Sequence, residues 1–144
     1  MITGVALVCV WVPDHDAGYD FYVGTLGMKV ATDAPMEGGG RWLVVYAPAQ
    51  PEVPIMLCVP GPPIMDEKKS AEIRELIASG DLGVGALATD DCRATYEELK
   101  AKGVEFTEEP TERFYGIDAA FRDPFGNPWR LTQPKSIMDG PVTP

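Results

Sequence analysis

The hydrophobic pattern opens with Val5-Ala6-Leu7-Val8-Cys9-Val10-Trp11-Val12, apolar nearly throughout and rich in β-branched residues, which predicts a strand buried on at least one face. Pro13-Asp14-His15-Asp16 breaks this run, and Asp14 or Asp16 can cap a helix by accepting an orphan amide hydrogen. Ala17, Phe21, Tyr22 and Leu26 then fall on one side of a helical wheel, with Gly27 as the left-handed stop. Strands are predicted at Met28–Thr32, Arg41–Tyr46 and Ile55–Val59. Gly38-Gly39-Gly40 turns the chain before the second of these, and Pro60-Gly61-Pro62-Pro63 closes the third. The same order then begins again. A strand is expected at Gly83–Ala88, a helix capped by Asp90-Asp91 carries Cys92, Tyr96 and Leu99 on one face, and strands follow at Val104–Phe106, Gly116–Arg122 and Pro128–Gln133.

Asp14 and Asp90, Gly27 and Gly103, Gly40 and Gly116, and Pro48 and Pro124 are each 76 positions apart. These are turn and cap positions, where backbone geometry restricts the residue, so a constant offset predicts an internal duplication. Toward the end of each half the offset becomes 74, aligning Leu57 with Leu131 and Pro60 with Pro134. Each half reads β-α-β-β-β, an α+β pattern. One domain is expected over residues 1–134, made of repeat 1 (3–60), an amphipathic linker helix (64–80) with Ile73, Leu76 and Ile77 on its apolar side, and repeat 2 (82–134). The tail over 135–144 has little periodicity and is expected to be loosely held or to reach a partner subunit.

Length and composition narrow the functional classes. A chain of 144 residues with 45% hydrophobic and 24% charged residues suits one globular domain. Twelve Lys plus Arg against 22 Asp plus Glu give a net charge of −10, which argues against nucleic acid or an anionic membrane as partner. No apolar run approaches the roughly 20 residues that span a bilayer. No basic residue precedes Lys29, so a secretory signal peptide is not expected. Cys9, Cys58 and Cys92 form no CxxC spacing, and their odd number fits a reducing cytoplasm. The one histidine, His15, makes any mechanism that needs two histidines impossible within one chain. Gly38-Gly39-Gly40 lacks the following Lys-Ser/Thr of a phosphate loop and opens no helix.

Two strings carry a resemblance. Val12-Pro13-Asp14, Phe21-Tyr22 and Leu26-Gly27-Met28 resemble the first-half signature of the vicinal oxygen chelate superfamily, which includes glyoxalase I, bleomycin-resistance proteins and extradiol dioxygenases. Ala119-Ala120-Phe121-Arg122-Asp123-Pro124-Phe125-Gly126-Asn127-Pro128-Trp129 resembles that family's closing strand-turn-strand, with Asp-Pro-x-Gly-Asn its most recognisable string. The resemblance covers residues 3 to 133. It implies two βαβββ repeats curled as a mixed sheet around a central pocket, often completed by a homodimer partner.

Metal-dependent members hold their ion with His or Glu on the first and last strands of each repeat. The resemblance places those positions at Leu7 or Val8, at Met56, at Val84 or Gly83, and at Arg130. Leu, Val and Gly offer no donor, a thioether does not suit a hard or borderline divalent cation, and a guanidinium repels one. No metal and no cofactor are therefore expected.

If Met56 and Arg130 face the pocket, strand alternation puts Cys58 and Thr132 beside them, with Ile55, Leu57, Trp129 and Leu131 in the core. Trp42, Phe114 and Tyr115 would supply aromatic walls. The expected ligand site is thus Trp42, Met56, Cys58, Phe114, Tyr115 and Arg130: apolar and aromatic with one cation, which suits a small organic molecule. Arg130 must be paired, either by a ligand or by Asp118, Glu105 or another acid. Glu108-Glu109 and Glu112 read as a solvated loop, and His15 as part of a helix cap away from the strands. The favoured function is a cytoplasmic, homodimeric binding protein of the resistance or sequestration type for an aromatic small molecule. The alternative is a lyase, isomerase or dioxygenase using a different metal set, or acid-base chemistry through Tyr115, Asp118 or Glu105.

Overall fold

The structure, a computed structural model, describes residues 1–135, so the predicted tail beyond Lys135 lies outside the described residues. The chain divides after Ser79 into two compact units. The first contains β1 (Val8–Trp11), α1 (His15–Tyr19) continuing into a π-helical turn (Asp20–Thr25), β2 (Lys29–Pro35), β3 (Arg41–Tyr46), β4 (Ile55–Cys58) and α2 (Glu67–Ser79). The second contains β5 (Gly85–Ala88), α3 (Cys92–Ala101), β6 (Glu105–Arg113), β7 (Gly116–Arg122) and β8 (Pro128–Pro134). The sheets have the same strand order, β1-β4-β3-β2 and β5-β8-β7-β6, with a parallel β1–β4 or β5–β8 pair and antiparallel pairs elsewhere. Two βαβββ repeats in an α+β fold are therefore present.

Alternation along the strands makes one face of each sheet the core. In the first unit Val10, Val12, Leu43, Val45 and Leu57 are at most 2% exposed and share the interior with Phe21 and Tyr22. A Cβ at Gly18 would lie 3.2 Å from Val12 Cγ2 and 3.3 Å from Leu57 Cδ1, so glycine lets α1 sit close on the sheet. In the second unit Cys92, Tyr96 and Leu99 from α3 are buried, as are Phe121, Trp129 and Leu131 from β7 and β8. Tyr96, Phe106 and Phe121 stack in sequence at centroid distances of 4.6 and 5.6 Å. Burying a side chain of this size stabilises the fold by about 1.5–3 kcal/mol.

Local sequence chemistry sets the element ends, with four departures from expectation. Asp14 caps α1 by accepting from the Ala17 amide at 2.8 Å, and of the expected pair Asp90-Asp91 it is Asp91 that caps α3, accepting from Ala94 at 2.9 Å, which shifts the repeat alignment. Position 14 therefore corresponds structurally to position 91 rather than to 90. The first strand begins at Val8, not Val5, because its ladder partner β4 begins at Ile55, immediately after Pro54. The first helix shifts to π geometry, with the Leu26 amide bonded to the Phe21 carbonyl, and both Phe21 and Tyr22 are buried there. The segment Glu108–Glu112 is not a loop. It lies within β6, which follows β7 back as far as Arg113 and is longer than its apolar residues alone suggest.

The linker helix α2 covers less than 64–80. Asp66 accepts from the Lys69 amide near its start, Ile77 is buried, and Leu76 is partly exposed. Arg74 ties it to the first unit by donating to the carbonyls of Pro13 and Pro60.

Candidate functional site

The Asp123–Asn127 turn fixes the site in the second unit. Asp123 Oδ1 accepts from the amides of Phe125 and Asn127 at 3.0 and 2.8 Å, and Asn127 Nδ2 donates to Asp123 Oδ2 at 2.8 Å. This buried knot sets the β7–β8 register, in which Asp118 faces Thr132 and Ala120 faces Arg130. On the next strand Ala86 faces Arg130 and Ala88 faces Thr132. Small alanines flank the two polar side chains, so the non-core face of the sheet is open above them.

The opening is a mostly apolar cleft of about 470 Å³ lined by Ala86, Ala88, Tyr115, Asp118, Arg130 and Thr132 among others. Its polar centre is Asp118, only 1% exposed. Tyr115 donates its hydroxyl to Oδ2 at 2.8 Å, Thr132 donates to Oδ1 at 2.9 Å, and Arg130 Nη2 also donates to Oδ2. The same Nη2 donates to Glu108 at 2.8 Å, and Arg113 lies 3.7 Å from Glu108. Two guanidiniums and two carboxylates make the cluster formally neutral. Among the described residues only Nη2 of Arg130 has a partner, so Nε and Nη1 keep their donors for another molecule or for water.

The electrostatics follow from these contacts. Burial pushes the Asp118 carboxyl up, but the hydrogen bonds from Arg130, Tyr115 and Thr132 outweigh burial and hold it below the usual carboxylate range. The bond to Asp118 raises the Tyr115 phenol above its ordinary value, with burial adding to the effect. Arg130 is held firmly protonated by its bond to Asp118.

Met56 and Cys58 belong to the first unit. They line a cavity of about 240 Å³ together with His15, Met36, Arg41 and Pro60. His15, expected to sit away from the strands, instead places Nε2 3.1 Å from the Leu57 carbonyl on β4, because α1 folds back over that strand. Arg41 is held by Asp33 through Nε and Nη2 and by Asp16 through Nη1. Neither Arg41 nor Met36 was singled out from the sequence, since their pairing depends on the β2–β3 register.

Of the six expected site residues, Trp42, Met56 and Cys58 belong to the first unit and Phe114, Tyr115 and Arg130 to the second. Tyr115 and Arg130 meet in one cleft, and Met56 and Cys58 meet in another cavity. Trp42 and Phe114, 41% and 48% exposed, line neither cavity. Phe114 packs edge-on against Tyr115 at 5.1 Å instead. Glu105, at the exposed start of β6 opposite Arg122, is also outside the cleft's lining, so Arg130 takes Glu108 as its second acid.

The positions at which metal-dependent members carry their ligands do not fit a divalent ion. Leu7 and Val8 are partly exposed hydrocarbons, Met56 offers a thioether, and Arg130 is a cation already in ion pairs. Among the described residues no three or more His, Cys, Asp or Glu side chains gather as a metal-binding group. Among those residues, no helix is long and apolar enough to cross a membrane.

Comparison with known proteins agrees with the geometry. The model of the Glyoxalase/Bleomycin resistance protein/Dioxygenase superfamily matches residues 4–131. UcmS2, of known crystal structure, is 41% identical with a TM-score of 0.86, over 92% of this chain and 98% of that one. TnmS3, an antibiotic binding protein from Streptomyces sp. CB03234, is 33% identical with a TM-score of 0.73, over 93% and 98% of the two chains. The uncharacterized protein YurT of Bacillus subtilis is 30% identical over 90% of this chain and 98% of its own length.

Proposed function

Because the chain belongs to the Glyoxalase/Bleomycin resistance protein/Dioxygenase superfamily, we propose that it binds a planar, largely apolar small molecule in the cleft of its second unit, without the family's divalent ion, in a sequestration or resistance role. One observation carries the reading. A single buried carboxylate, Asp118, holds the guanidinium of Arg130 and the phenol of Tyr115 in fixed positions beside an apolar surface. Such a site pre-orders its donors, so a ligand carbonyl or phenolic oxygen meets Nε or Nη1 of Arg130 at little entropic cost. The formal neutrality of the cluster favours an uncharged ligand over a cation or an anion. The likeness to TnmS3 supports antibiotic-like compounds as the ligand class.

Catalysis is the weaker reading. Tyr115 is raised away from neutral pH by its bond to Asp118, which makes it a poorer proton donor to substrate. We assign the protein to the cytoplasm, in keeping with three free cysteines. We also assign it a homodimeric state, in keeping with exposed Trp42 and Phe114.

The test uses the purified chain with three planar probes: a neutral flavone, a cationic acridine and an anionic naphthoate. The expected result is a rise in thermal midpoint with the flavone, larger than with the charged probes, and unchanged flavone recovered afterwards. Arg130→Ala should weaken flavone binding about tenfold or more, the loss of one charge-assisted hydrogen bond. Equal affinity in Arg130→Ala, or no shift with any probe, would overturn the reading. Conversion of a probe to product would favour the catalytic alternative.

A further inference from the structure

The first unit carries a sulfur cluster that the reading above does not use. Cys9 on β1 faces Met56 on β4 across the parallel ladder, so the two side chains leave the same face of the sheet. Cys58 follows Met56 by two residues and shares that face. Cys9 and Cys58 therefore lie on adjacent rungs of the same face, and the Cys9 thiol helps to push the Cys58 thiol up. Met56 and Cys58 line the cavity of about 240 Å³ described above, and Cys9 is exposed, so the cluster has an access route.

We propose that Cys9, Met56 and Cys58 form a binding site for a soft monovalent cation, Cu(I) or Ag(I), through two thiolates and a thioether. Soft d¹⁰ cations accept two or three sulfur ligands, whereas zinc asks for four nitrogen or sulfur donors in a tetrahedron. No third cysteine, histidine or carboxylate completes such a set among the described residues. Met56 is unbranched, so its sulfur can adjust toward the thiol pair without backbone movement. On binding, both thiols release their protons to solvent and two sulfur–metal bonds form. No redox change is involved. The thioether joins as a neutral third ligand.

The experiment titrates the reduced full-length chain with Cu(I) under anaerobic conditions against bicinchoninate as a coloured competitor. One Cu(I) per chain is expected, with a near-ultraviolet thiolate-to-copper absorption and quenching of Trp11, which faces Cys58 in the ladder. Cys9→Ser changes an exposed residue and should fold. It is expected to weaken binding by more than about a hundredfold, since even outer partners of metal ligands are worth about 10–100-fold. Met56→Leu conserves volume and should cost about tenfold. Cys92→Ala, in the buried core of the second unit, should titrate like the parent. Substoichiometric copper, Cys9→Ser binding like the parent, Zn(II) competing as tightly as Cu(I), or a Cys9–Cys58 disulfide in place of a copper complex would each overturn the proposal.

Discussion

Asp118 and Arg130 sit diagonally across the β7–β8 ladder and share an ion pair in which the carboxylate is 1% exposed and the guanidinium 39%. The acid is therefore the structurally committed partner, since it has no access to water if its donors leave. Asp118→Asn keeps the shape but removes the charge and turns part of the acceptor set into a donor facing Arg130 and Tyr115. The expected loss is about 1–3 kcal/mol in urea unfolding, the cost of a broken buried charge-assisted bond. Glu108→Gln, at the exposed side of the same guanidinium, should change the midpoint little. Equal effects of the two substitutions would contradict this hierarchy.

The same carboxyl sets an acid limit. Its folded pKa lies below the unfolded value of about 3.9, so its stabilising contribution is complete above that pH and is lost as pH falls through the folded value. Urea midpoints measured from about pH 6 down to pH 2 should drop on the acid side of pH 4. Asp118→Asn should drop less steeply over the same range. A parallel fall in both proteins would place the acid sensitivity elsewhere.

Gly116 opens β7 at φ 146°, and a Cβ there would collide with the Gln133 backbone carbonyl on β8. Gly116→Ala is expected to destabilise by about 1–3 kcal/mol through backbone strain. It should also loosen Tyr115, the adjacent residue, so ligand affinity and stability should fall together. An alanine variant as stable as the parent would show that the strand start can relax.

The three thiols should differ in reactivity. Burial, reinforced by the Cys9 thiol, pushes the Cys58 thiol up to about 12, and burial also raises Cys92. Cys9 is exposed. Iodoacetamide at about pH 8 should alkylate one thiol per chain, with the other two reacting only after denaturation. Peptide mass mapping that finds Cys58 or Cys92 labelled as fast as Cys9 would refute the assignment.

Much of the fold was legible in the sequence because caps and turns are local. Asp14 and Asp123 announce their roles through neighbours three or four residues away, and β3 through the five-residue apolar run Trp42–Tyr46. Strand alternation placed Arg130 and Thr132 on one face, and the need to pair a guanidinium pointed to a ligand or to an acid such as Asp118 or Glu105, without choosing between them. What stayed hidden depends on contacts between distant segments. His15 reaches a carbonyl 42 residues away, and the Cys9–Cys58 approach exists only through the β1–β4 register. Trp42 and Phe114 showed the limit in the other direction: aromatic character does not say which way a strand face or loop tip turns.

The ladder also equates positions between the repeats. Cys9 opposite Met56 matches Ala86 opposite Arg130, and Cys58 matches Thr132. One backbone template thus presents a polarizable surface in its first copy and a hard ionic one in its second. Exchanging a few residues between equivalent rungs should transplant either character without redrawing the trace, making this chain a natural pair of matched scaffolds for engineering ligand preference.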